Sequence, residues 1–280
     1  LPLWDIDATI KELEWCADNG LGGVSFPSPG EPGMRPFRDP ALDTVFAACA
    51  ALDMTLATHI GAVPPHVDYT DAPAEETFHF GLLDSGEWGI RSIYQLVIFG
   101  AFERHPNLKF VLTEVPGVYW DEICLKMDSL HHSPIRRQDN KTTKRPSDYM
   151  ATNVWMGNSF QSRQEAQAAI AIGGGRRFLW GSDYPHAEGT FIHSDDPSAY
   201  PRTRLSLAYS YHDLPLDKVR MLVGENALDA YPRFEVAALK KAANRIGVRL
   251  NEIETAPDLN NYPDIAGTGT LAFRTEGPWS

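Results

Sequence analysis

The chain has 280 residues, 43% hydrophobic and 22% charged, with a formal net charge of −12. That hydrophobic share excludes a disordered polypeptide, and the acidic balance argues against binding to a phosphate backbone, so no nucleic-acid partner is expected. The longest mostly apolar run, Ile90 to Phe102, is broken by Arg91, Ser92 and Gln95; a bilayer crossing needs about 20 apolar residues, so no membrane partner is expected either.

In chain order, Asp7 to Asn19 reads as a helix. Ile10, Leu13, Cys16 and Ala17 form one apolar stripe, Asp7 is the candidate N-cap, and Asn19-Gly20 is the stop. Gly22 to Phe26 is a short strand. Helix Ala41 to Leu52 leads to strand Met54 to Ile60. Helix Trp88 to Arg104 leads to strand Leu108 to Glu114, and helix Tyr119 to Leu130 follows. The polar stretch His131 to Arg145 reads as a solvated loop. It includes the adjacent pair His131-His132 and a basic patch of Arg136, Arg137, Lys141, Lys144 and Arg145. Asn153 to Met156 is a fourth strand and Gln164 to Ile172 a helix that Gly173-Gly174-Gly175 ends; Arg177 to Gly181 is a fifth strand. Three helices follow: Leu205 to Tyr211, Leu216 to Val223 and Phe234 to Arg245. The domain reading is a catalytic unit over 1–250 and an extended tail over 251–280. Cys16, Cys49 and Cys124 are far apart and form no C-x-x-C pair, which reads as buried, reduced thiols of a cytoplasmic protein. Trp88, Trp120 and Trp155 read as core residues.

Short apolar strands alternating with amphipathic helices imply a parallel sheet under helices. An open doubly wound sheet and a closed (β/α) barrel both satisfy that pattern. No G-x-G-x-x-G turn is present, which removes the dinucleotide-binding signature. Three strands end in groups able to do chemistry: His59, Glu114 and Asp183. In a parallel barrel all carboxyl ends open on one mouth, so these three could converge to hold a cation or move protons. Asp183 opens a dense polar run, Asp183-Tyr184-Pro185-His186-Ala187-Glu188. His66 and His79 read as surface histidines in the loop after His59, and His193 and His212 suggest no role.

Four segments carry a family resemblance: Trp180-Gly181-Ser182-Asp183-Tyr184-Pro185-His186 with Glu188-Gly189-Thr190; Thr58-His59-Ile60-Gly61; His105 to Glu114; and Gly224-Glu225-Asn226-Ala227. They resemble the amidohydrolase superfamily, in the branch that holds aminocarboxymuconate-semialdehyde and resorcylate decarboxylases and metal-dependent hydrolases. The resemblance implies an α/β fold of (β/α)8 TIM-barrel type and a divalent metal, zinc first and manganese second. It implies His59 and Asp183 as metal ligands, with Asp183 also handling a proton. A homodimer is implied too. The family takes further ligands from a His-x-His or Glu-x-His pair on the first strand, and the chain is read as having neither pair. Five strands stand where a barrel has eight, so the simplest expectation is an incomplete barrel with the first strands missing. The strand ending at His59 would then be the fifth and that ending at Gly181 the eighth. Two open sheet edges would also favour self-association.

Glu114 departs from the decarboxylases, which usually have histidine at that place. A carboxylate there suits accepting a proton from activated water and suits a carboxylate substrate less; a salt-bridged Glu at the rim is the bland alternative. The expectation is therefore a metal-dependent hydrolase of a small molecule, with Asp183 and Glu114 catalytic and His186 and Glu188 touching substrate. Non-oxidative decarboxylation of an aromatic or unsaturated acid is the second reading. An inactive barrel fragment or interaction module is the third.

Overall fold

The computed structural model describes residues 1–27, 29, 34–59, 73, 87–115, 117–133, 141–159, 161–184 and 202–258. Five strands form one parallel sheet in the order β1-β2-β3-β4-β5: β1 Gly23–Phe26, β2 Thr55–His59, β3 Phe110–Thr113, β4 Val154–Ser159 and β5 Phe178–Gly181. Each strand neighbours the next one in sequence, as helix-linked parallel strands do. Two compact units divide the chain, one of residues 1–115, 119–156 and 229–234, the other of 116–118, 157–228 and 235–280.

In the first unit, helix α1 spans Ile6–Asp18. Its cap is Asp5 and not Asp7: the Asp5 carboxylate accepts from the Ala8 amide at 3.0 Å, while Asp7 lies in the first turn, where a negative charge meets the positive end of the helix. Helix α2, Ala41–Ala51, buries Leu42, Val45, Phe46 and Cys49 at helical spacing. Phe46 stacks on Phe26 of β1 with ring centroids 6.2 Å apart. The long helix expected to run to Arg104 is instead two: α3 over residues 87–98 and α4 over Ala101–Arg104. Gly100, at φ +73°, breaks it, and a Cβ there would come within 2.9 Å of the Lys141 carbonyl. Helix α5, Trp120–His131, buries Trp120, Ile123 and Met127. The stretch after it is not loop throughout: α6, Pro146–Asn153, precedes β4. Pro146 opens α6, the Asp148 carboxylate accepts from the Arg145 amide at 3.2 Å, and Asp128 of α5 accepts from the Ser147 amide and hydroxyl. At the other end, the Asn153 amide donates to the carbonyls of Pro106 and Leu108, fixing the start of β4 against the entry to β3.

In the second unit, α7 spans Arg163–Ala171 and opens on a reciprocal cap between Ser162 and Glu165. The three glycines after it all have positive φ, which confirms them as a helix stop. Helix α8, Arg202–Tyr211, ends on a buried tyrosine whose hydroxyl donates to Gln161 at 2.7 Å. Helix α9, Leu216–Arg220, continues through one π turn, Met221–Glu225, into α10, Asn226–Ala230. Helix α11, Val236–Ile246, buries none of its residues. Residues 250–252 form a single 3-10 turn across the expected start of the tail, and 259–280 lie outside the described residues.

The cysteines are free thiols, Cys16 and Cys49 buried and Cys124 half-buried; burial pushes the Cys49 thiol up to about 12. Trp88, Trp120 and Trp155 are buried, as expected. Among the described residues no helix is long and apolar enough to cross a membrane.

Asn226 anchors the strand that delivers Asp183. Its buried amide donates to the Gly175 carbonyl at 2.7 Å and to the Phe178 carbonyl at 2.8 Å. Substituting Asn226→Ala removes the Asn226 donor from both buried carbonyls. Thermal or urea unfolding is expected to show a loss of about 2–3 kcal/mol; a loss under about 0.5 kcal/mol would contradict this role.

Candidate active site

His59 is the last residue of β2, and parallel pairing sets it opposite Thr113, the last residue of β3. Paired residues project to the same face of a sheet and successive residues to opposite faces. An extended Glu114 would therefore point away from His59. Instead Glu114 adopts φ +63°, in the left-handed region. The reversal carries its carboxylate back toward the imidazole: Glu114 Oε2 stands 3.4 Å from His59 Nε2. The two side chains differ in setting, His59 being 50% exposed and Glu114 16%. Val115, next in the chain, is fully buried, which holds the turn in place.

Asp183 follows β5 by two residues and also has positive φ, +59°. The Ser182 hydroxyl accepts from the Tyr184 amide at 3.3 Å, closing the turn around it. Among the described non-glycine residues, the left-handed region is otherwise occupied only by Asp53 and Asp213. Both predicted carboxylates thus occupy a backbone region that costs about 1–2 kcal/mol for a side chain with a Cβ, a kind of strain that gathers at functional sites. His59 and Glu114 belong to the first unit and Asp183 to the second. His186, Glu188, His66, His79 and His193 lie outside the described residues.

Imidazole and carboxylate are donors that divalent cations accept, so the His59–Glu114 pair suits such an ion. Among the described residues no three His, Cys, Asp or Glu side chains group to hold one. Contrary to the reading that the chain has no such pair, one Glu-x-His sequence does occur, Glu103-Arg104-His105, at the end of α4 rather than on a strand. It is structural. Glu103 accepts hydrogen bonds from the Tyr149 and Thr143 hydroxyls, which hold its carboxyl below the ordinary value. His105 Nε2 and Arg104 Nε meet Asp43 at 3.0 and 2.8 Å. Burial pushes the Asp43 carboxyl up, but these hydrogen bonds outweigh it and leave the group lowered.

The remaining sequence candidates are structural too. His131 ends α5 and His132 caps it, their rings edge to face with centroids 5.4 Å apart, so the pair is not in a loop. His212 Nδ1 bonds back to the Ala208 and Tyr209 carbonyls. Of the basic patch, Arg145 pairs with Asp148 and Lys144 lies over the Tyr149 ring; Arg136 and Arg137 lie outside the described residues. Sequence reasoning passed over Gly117. A Cβ there would come within 2.6 Å of the Phe178 ring, so any other residue would have to displace that ring. A glycine directly after Val115-Pro116 was the available signal. A cavity of about 510 Å³, lined by Leu1, Trp4, Glu12, Cys16, Val24 and Ser25, contains none of the predicted site residues.

The chain belongs to the amidohydrolase family, whose sequence model matches residues 1–233. No curated protein matches it. Among solved structures it is similar to an amidohydrolase from Mycobacterium avium subsp. paratuberculosis, at 20% identity and a TM-score of 0.63, covering 82% of this chain and 55% of that one. It is also similar to 5-carboxyvanillate decarboxylase from Sphingomonas paucimobilis, at 21% identity and TM-score 0.62, covering 81% and 64%. A third likeness is to a dihydroxybenzoic acid decarboxylase from Polaromonas sp. with bound manganese and an inhibitor, at 16% identity and TM-score 0.60, covering 83% and 67%. The chain thus spans 55% and 64% of the length of the first two structures. The fold is of the (β/α)8 barrel type, with five of its strands among the described residues.

Backbone strain at Glu114 can be separated from its chemistry. Glu114→Gly and Glu114→Ala both delete the carboxylate, but only glycine relaxes at φ +63°. The glycine variant is expected to exceed the alanine variant by about 1 kcal/mol in urea unfolding. Equal stabilities would mean that this turn is not strained.

Proposed function

We propose that the chain is a metal-dependent enzyme of the amidohydrolase superfamily that adds water across a bond of a small molecule. The observation that carries this reading is the His59–Glu114 pair at the carboxyl ends of adjacent parallel strands, where α/β enzymes of barrel type place their chemistry. We assign the cation to His59 and Asp183. A bound divalent ion supplies a water of lowered pKa and polarises the scissile bond. Asp183 carries a proton toward the leaving group. Glu114 supplies a carboxylate that can hold the water or take its proton. His186 and Glu188, three and five residues beyond Asp183 in sequence, are assigned to the substrate. Zinc and manganese both suit such a donor set; manganese is the ion named in the Polaromonas structure.

A second reading, loss of CO2 from an aromatic acid, is favoured by the neighbours that are named decarboxylases of carboxyvanillate and dihydroxybenzoate. Incubating the metal-loaded protein in H2-18O with small esters, lactones and amides, and separately with hydroxylated benzoic acids, separates the two by mass spectrometry. Incorporation of 18O is the expected result; release of CO2 without it would replace the first reading by the second. Asp183→Asn is expected to lower either rate by about 10²–10⁴-fold.

We also infer a homodimer. The support is α11, whose Val236, Leu239 and Ile246 are exposed on an otherwise basic helix of an acidic chain. Light scattering is expected to return twice the chain mass. A monodisperse single-chain mass at micromolar concentration would contradict it.

A further inference from the structure

Resting on the metal-dependent reading above, we propose that Glu114 is itself a ligand of the divalent cation and shares that ion with His59. The first support is the distance. A hydrogen bond between a ring N–H and a carboxylate closes to about 2.7–2.9 Å, whereas Nε2 of His59 and Oε2 of Glu114 stand 3.4 Å apart. Two donors each about 2.1 Å from one ion are separated by about 3.4 Å at the tetrahedral angle and about 3.0 Å at the octahedral one. A separation of 3.4 Å leaves room for both groups to bind one ion in tetrahedral geometry.

The second support is the backbone. Glu114 leaves β3 in the left-handed region, at φ +63°, and that turn is what brings its carboxylate onto the face of His59. A residue serving only as a rim charge would have no need of the reversal.

The test is calorimetric titration of zinc(II) into the full 280-residue chain and its Glu114→Gln and His59→Ala variants, with the visible d–d spectrum of the cobalt(II)-loaded forms. Circular dichroism checks that each variant is folded. Glu114→Gln is expected to weaken binding by more than about 100-fold, beyond the 10–100-fold cost of losing a partner outside the ligand set. The cobalt spectrum is expected to change, because an anionic oxygen donor is lost. If Glu114→Gln leaves that spectrum unchanged, whatever the affinity, the assignment is overturned and the metal-dependent reading stands. If the unsubstituted chain takes up neither zinc nor cobalt, that reading fails and the assignment with it.

Discussion

The register between β2 and β3 is the constraint on which the account depends. Pairing Leu56 with Phe110 carries through to His59 opposite Thr113. It sets the imidazole and the residue after β3 at the same height on one edge of the sheet. A slip of one residue would turn His59 to the other face and separate it from Glu114. The register is held by burial on both strands: Leu56 and Thr58 of β2 and their partners Phe110 and Leu112 of β3 are all buried. The Asn153 amide adds a fixed anchor at the Leu108 carbonyl, just before β3. Packing energy in the core therefore determines where the imidazole and the carboxylate meet.

Two carboxylates at strand ends share one conformational device. Glu114 and Asp183 both leave their strands through positive φ. For residues with a Cβ this costs free energy, and the surrounding core holds it in place: Val115 after the first turn, Phe178 and Leu179 within the second strand. The strain is thus linked to placement. At Glu114 it reverses the direction that β alternation would impose, and the carboxylate faces His59 because of it.

Much of this was legible in the sequence because it depends on short-range patterns. All five strands follow from apolar runs punctuated by glycine and proline, and His59, Glu114 and Asp183 stand out as polar residues at strand ends. What the sequence hid depends on geometry. The cap of α1 shifted from Asp7 to Asp5 because two aspartates in one turn compete and only the bond to Ala8 separates them. The break at Gly100 comes from the close approach of the Lys141 backbone, a contact across 41 residues of sequence. Helix α6 lay behind a polar, basic stretch, although Pro146 at its first position and Asp148 two residues on were signals of a helix start. The Glu-x-His sequence at 103–105 shows the converse: the right letters in a helix, where Tyr149, Thr143 and Asp43 take up their hydrogen bonds.

Family membership fixes a scaffold, and the chemistry proposed for this member rests on Glu114, a carboxylate where the resemblance leads one to expect histidine. Anomalous diffraction from a crystal soaked in manganese tests this most directly. The account predicts a single strong peak within about 2.0–2.3 Å of both Nε2 of His59 and Oε2 of Glu114. A peak bonded to His59 while Glu114 stays outside bonding distance, or ordered metal only at other sites, would contradict it.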